Sequence, residues 1–155
     1  MNVLLKWNPE YESDTLQRRM EVASAKGAVW WGCHSTDPFR RVADERIARL
    51  KRQLQVPEVV WAFLYRVGAP ATRAEVSRAR IIDVTDRPEE VEVCLLPRDA
   101  SLSESFLWFK LNEFQPMPRS WVLSNLERWD ELGRSLDQGS LRNQTSPLYV
   151  AIRGG

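Results

Sequence analysis

Hydrophobic positions along the chain switch between the two spacings that mark strand and helix. Val3-Leu4-Leu5-Lys6-Trp7 is an apolar run stopped by Asn8-Pro9 and predicts a first strand. Leu16, Met20 and Ala23 recur at helical spacing, so a helix is expected over 14–26, with Gly27 as its stop. Gly27 to Ser35 reads as a second strand running into a loop. Asp37-Pro38 reads as a helix start, with proline near the first turn. Val42, Ile47, Leu50 and Leu54 form its apolar stripe through Gln55, and Pro57 ends it.

From Glu58 the character changes. Residues 59–67 are rich in β-branched and aromatic side chains and predict a strand. Further strands are expected over 75–84, over 91–95 after a turn at Asp86-Arg87-Pro88, and over 106–111. Pro116-Met117-Pro118 is expected to break the chain. Trp121 to Leu132 fits a strand or a short helix. Gly139 to Pro147 reads as polar loop, and Leu148 to Ile152 as a closing strand. This order predicts an α+β fold: a curved, mostly antiparallel sheet or barrel with flanking helices. At 155 residues the expectation is one domain, 1–155, able to bury roughly two thirds of its unfolded surface.

Within that frame the pair Trp30-Trp31, followed by Gly32, is the most informative segment. Strand alternation puts Trp30, Gly32 and His34 on one face and Val29, Trp31 and Cys33 on the other. One indole is then expected to fill the core while the other looks outward over the glycine, a slot for a flat ring. Seven tryptophans, three tyrosines and five phenylalanines suit either a large aromatic core or a stacking surface. Trp7, Trp61, Trp108 and Trp121 read as packing residues.

Other chemistry is thinly represented. Cys33 and Cys94 make neither a disulfide framework nor a zinc site by spacing, which fits a reducing, cytoplasmic setting. The opening apolar run is too short for a signal peptide, and no stretch approaches the roughly 20 apolar residues that span a bilayer. His34 is the single histidine and points away from Cys33 in a strand, so the two do not form a nucleophile–base pair. There is no glycine-rich phosphate loop. Asp83, Asp86, Glu89, Glu90 and Glu92 read as a solvated hairpin edge rather than a metal site. No enzyme activity, cofactor or metal is expected.

Net charge is +1, but it is unevenly spread. Residues 38–80 carry ten basic and four acidic side chains, and residues 81–155 carry eight and twelve. A basic face is therefore compatible with a neutral total. Arg40, Arg41, Arg49 and Arg52 lie around the apolar stripe of the second helix.

Three segments, in order, carry a resemblance. Val29 to Ser35 looks like the YTH-domain strand whose tryptophan forms one wall of a methyl-base cage. Leu107 to Pro116 looks like the YTH core strand. Leu141 to Leu148 looks like the late YTH loop in which Arg meets phosphate and Asp or Asn faces the base. The chain thus resembles the YTH domain, and more loosely the EVE and PUA-like group. That implies a PUA/YTH-like curved mixed β-sheet or small β-barrel flanked by two or three helices.

The resemblance implies a non-enzymatic reader of a methylated base, preferably in duplex DNA with the base flipped into an aromatic cage. Base-binding residues would be Trp30, Trp31, Gly32 and Asn143, with Trp30 favoured as the wall because Gly32 shares its face. Arg142, Arg40, Arg41, Arg49 and Arg52 would meet phosphates, which position without specifying. The chain departs from the family at the second tryptophan wall: residues 84–105 hold no aromatic and offer Leu95, Leu96 and Leu102 instead. Methylated adenine is the first expectation and methylated cytosine the second. The first segment, with Lys6-Trp7-Asn8-Pro9 and the Trp30-Trp31-Gly32 strand, looks more like the recognition modules of McrB-like modification-dependent restriction systems than like eukaryotic readers, so a fused or associated nuclease or AAA+ motor is an implied partner. An RNA-binding PUA/YTH-like module and a small barrel-fold hydrolase are the alternatives. No membrane partner is expected.

Overall fold

The computed structural model describes residues 1–8, 15–34, 44–67, 76–98, 100, 102, 105–129, 136, 141 and 147–153. The strands are β1 (Asn2–Trp7), β2 (Val29–His34), β3 (Trp61–Arg66), β4 (Val76–Thr85), β5 (Ser105–Met117), β6 (Leu126–Arg128) and β7 (Leu148–Ile152). The helices are α1 (Thr15–Lys26), α2 (Asp44–Leu54) and α3 (Arg119–Asn125). The architecture is α+β: the strands form one mixed sheet in the order β2-β5-β4-β3-β1-β7-β6.

The chain divides into two compact units, neither continuous in sequence. The first comprises Met1–Thr15, Trp61–Ala79 and Phe114–Gly155; the second comprises Leu16–Val60 and Arg80–Glu113.

In the first unit β1 runs parallel to β3, with Leu4 beside Phe63 and Lys6 beside Tyr65, and antiparallel to β7. Five consecutive buried positions, Val3 to Trp7, suit a strand flanked on both edges and covered on both faces. Leu4, Phe63, Tyr65, Val122, Leu126 and Val150 form the centre of the core, with Trp121 of α3 stacked on Phe63 at 5.6 Å between centroids. Lys6 is an unusual member of such a strand. Burial, and then the Arg128 guanidinium, lower its pKa from 10.5 to about 8. Arg119 donates to the Tyr65 hydroxyl at 3.0 Å beside it on the sheet.

In the second unit α1 ends at Gly27, whose φ of +88° is the left-handed conformation a helix stop favours. The Gly27 amide still donates to the Ala23 carbonyl at 2.8 Å. Helix α2 carries Asp44 and Glu45 in its first turn and Lys51 and Arg52 in its last, matching the helix dipole, and buries Ile47 and Leu50. Residues 35–43, where that helix was expected to begin, lie outside the described residues.

Three expectations are revised. Residues 91–95 are not a strand: Pro88–Glu90 and Val93–Leu95 form two single-turn 3-10 helices. Strand alternation would bury Val91, Val93 and Leu95 together, whereas Val93 is 70% exposed while Val91 and Leu95 are buried. The Pro116-Met117-Pro118 break comes later than expected: β5 runs through Pro116, and Pro118 caps α3. The pairing with β2 ends at Leu111, so Pro116 lies where that ladder needs no donor. Within the expected Trp121–Leu132 segment, the described residues through Trp129 hold both elements in turn, the end of α3 followed by β6.

Candidate base-binding face on strands β2 and β5

The antiparallel pairing of β2 with β5 builds the site. Trp30 lies opposite Lys110, Gly32 opposite Trp108 and Val29 opposite Leu111. Side-chain alternation therefore places Trp30, Gly32, Trp108, Lys110 and Asn112 on one face. Val29, Trp31, Cys33, Phe109 and Leu111 take the other. There Arg19 of α1 lies over the Trp31 ring, 4.9 Å from its centroid.

Trp30 and Trp108 share a cluster with Ala28, Val91 and Leu95, and Leu96 and Leu102 pack against it. The three leucines that stand in the aromatic-free stretch are thus brought onto the Trp30 face. Their segment is tethered by cations. Lys110 pairs with Glu92 at 2.6 Å and sits 5.7 Å from the Trp30 centroid. Lys26 donates to the Cys94 carbonyl at 2.7 Å, and Arg18 donates to the Arg98 carbonyl.

Neither indole looks outward: Trp30 is 1% exposed and Trp31 is 3% exposed. The space over Gly32 is not an empty slot either. A Cβ there would run into the Ser105 hydroxyl and lie 3.2 Å from Trp108 Cδ1. Pairing explains this: opposite a glycine, the bulky Trp108 and the nearby Ser105 close over the backbone. Gly32→Ala is therefore expected to lower stability by about 1–3 kcal/mol through overpacking. A urea titration measures it, and adding Ser105→Gly recovers part of the loss; an unchanged midpoint for Gly32→Ala alone contradicts the packing.

The polar inventory of this face is more suggestive. The Trp30 indole N–H is buried with no acceptor among the described residues, and the Asn112 amide oxygen is buried with no donor. Buried tryptophan N–H groups usually find a partner. The strand reading did not single out Asn112 or Lys110, although the period-2 pattern from Trp108 would have placed both on the tryptophan face.

The other expected site residues are distributed as follows. Arg49 and Arg52 are exposed on α2. Arg40, Arg41, Arg142 and Asn143 lie outside the described residues. Cys33 is buried and Cys94 exposed. His34 is exposed, with its Nδ1 3.4 Å from the Ser105 hydroxyl. Among the described residues no cluster of three or more His, Cys, Asp or Glu side chains could hold a metal ion. In the acidic run, Asp83 accepts from the Val84 amide, and Glu90 and Glu92 pair with Arg87 and Lys110. No helix among the described residues is long and apolar enough to cross a membrane.

No family model matches the chain, and no curated protein matches it. A structural-genomics crystal structure of a Pseudomonas putida protein is similar over 91% of this chain and 76% of that one, with 15% identity and a TM-score of 0.34. A likeness at that score carries no argument about function.

Proposed function

We propose that this chain is a PUA/YTH-like reader of a methylated base in nucleic acid, with Trp30 as the aromatic wall of its pocket. The observation that carries the reading is the Trp30 indole: buried, its N–H without an acceptor among the described residues, beside Trp108 and three leucines. Extruding a base costs a few kcal/mol. Stacking on the Trp30 face returns roughly 1–3 kcal/mol per base. A methyl group pressed on Leu95, Leu96 or Leu102 contributes about 0.8 kcal/mol more.

Because the leucines cover Trp30, a base enters by displacing residues 88–98 and Leu102. Their tethers suit that motion: the Lys110–Glu92 ion pair has an exposed partner and contributes only about 0–1 kcal/mol, and the Lys26 and Arg18 bonds to carbonyls are on the exposed surface. Exposed Arg49 and Arg52 are the described candidates for phosphate contact. Duplex DNA with a flipped base is the preferred substrate, with N6-methyladenine ahead of 5-methylcytosine. In a restriction system such a module would mark sites for a nuclease or motor.

Trp30→Phe tests the pocket without emptying it. It keeps a ring but shrinks the stacking face, so affinity for the methylated oligonucleotide should fall about fivefold, a part of the roughly 1–3 kcal/mol that stacking supplies, while the protein stays folded. Unchanged affinity in a folded variant overturns Trp30 as the wall that contacts the base.

A further inference from the structure

We infer that Arg78, held against Trp61 by Gln115, is a phosphate-binding arginine that grips the nucleic-acid backbone; the backbone as source of the phosphate rests on the nucleic-acid reading above. The three residues belong to the first unit, on strands β4, β3 and β5. The base of the stack is fixed, because the Trp61 amide donates to the Asn2 side-chain oxygen at 2.8 Å and ties the start of β3 to β1. Arg78 Cζ lies 4.3 Å from the centroid of the half-buried Trp61 ring. Arg78 Nε and Nη2 donate to Gln115 Oε1 at 3.2 and 2.9 Å.

Both partners are neutral, and among the described residues no carboxylate pairs with Arg78. The guanidinium therefore keeps its full charge while one face and one edge are held. The edge formed by Nη1 and Nη2 remains, with two parallel N–H donors spaced to meet two oxygens of one oxyanion. Gln115 gives its oxygen to Arg78, so its amide nitrogen adds a further donor beside the guanidinium. The array is cationic and made of donors alone. An arginine already held in place loses less freedom when it binds than one that must first be ordered. Every backbone phosphodiester presents two unesterified oxygens to such an edge.

The test is a salt series. Matched duplexes with and without N6-methyladenine are bound to wild type, Arg78→Gln, Arg78→Met and Arg78→Lys, and each variant is melted to confirm its fold. The methionine keeps an apolar stem on Trp61, so one neutral variant preserves the packing. Both neutral variants should bind the two duplexes about tenfold more weakly near 0.1 M salt, by the same factor for each, and the slope of log affinity against log salt should become shallower by about 0.9, the share of one phosphate. Arg78→Lys should recover the slope and part of the affinity, since lysine meets phosphate as a point charge. A purely structural role would lower the melt and leave the slope alone.

The inference is overturned if a folded neutral variant keeps the wild-type slope, or if it changes the preference between the duplexes, which a phosphate contact does not carry. Inorganic phosphate, titrated at fixed ionic strength and followed by NMR at the Trp61 indole, separates the two sources. If it shifts that signal in wild type but not in Arg78→Gln, while the duplex slope ignores Arg78, the site takes free phosphate and the backbone contact falls. Preference for the methylated duplex is read in the same series. If it is absent while the slope pattern holds, the methylated-base reading falls and the phosphate contact stands. If it persists while the slope pattern fails, the reader stands and the Arg78 contact falls. If no duplex is bound, both fall.

Discussion

Replacing Trp30 by alanine is expected to cost about 3–5 kcal/mol of folding stability, so that loss of structure accompanies any loss of binding. The side chain is 1% exposed and sits among Ala28, Val91, Leu95 and Trp108. Truncation leaves a cavity the size of an indole between a strand pair and the segment that covers it. Strands β2 and β5 are held by their ladder and cannot close that gap; only the covering leucines can follow. The indole N–H, which has no acceptor among the described residues, is removed as well, which offsets a part of the loss. Calorimetry of wild type, Trp30→Phe and Trp30→Ala separates the contributions: phenylalanine stays near wild type and alanine falls far below it. An alanine variant that melts with wild type would mean the cluster is not formed.

Raising the pH from 8 toward 10 is expected to stabilise the protein through Lys6. Its pKa falls from 10.5 to about 8 on folding, because burial and then Arg128 disfavour the ammonium. Between those values the unfolded chain still holds a proton that the folded chain releases, so stability rises with pH across that window. Below pH 8 both states are protonated and the full cost of burying the charge remains. The expected contribution is about 1–3 kcal/mol, each pKa unit being worth 1.36 kcal/mol. Tyr65 lies beside Lys6 on the sheet, and Arg119 donates to its hydroxyl. Denaturation is measured at pH 7, 8 and 9. Lys6→Met should raise the denaturation midpoint at pH 7 and flatten its rise with pH. A wild-type protein whose stability falls steadily from pH 7 to 9 contradicts this account of Lys6.

Much of the scaffold was legible from local pattern. The run Val3 to Trp7, the helical spacing of Leu16, Met20 and Ala23, and the stop at Gly27 each depend on neighbours close in sequence. Residues 91–95 misled because Val91, Val93 and Leu95 alternate like a strand, while Pro88 and the burial of Val91 and Leu95 alone favour tight turns. The two units were not visible in sequence, because each is assembled from separated segments and β4 and β5 contribute to both.

The site was half legible. Trp30 and the leucines 95, 96 and 102 were identifiable as types, and their meeting on one face follows from a fold that no local pattern encodes. Asn112 was passed over because an asparagine inside a strand has no signature of its own. Its interest comes from an amide oxygen buried opposite a tryptophan strand, and burial is a tertiary fact. The filling of Gly32 by Trp108 and Ser105 was likewise invisible without the β2–β5 register.

The central claim is that the Trp30 face receives a methylated base. Its most direct test is a binding titration at one fixed salt concentration. The matched oligonucleotides are unmodified or carry N6-methyladenine or 5-methylcytosine, each as duplex DNA, single-stranded DNA and RNA. The account predicts selective binding of duplex DNA carrying N6-methyladenine, weakened in folded Trp30→Phe. Selectivity for RNA would transfer the function to that polymer. Equal weak binding to every form, fading with added salt, would contradict the claim and leave Trp30 and Trp108 as core.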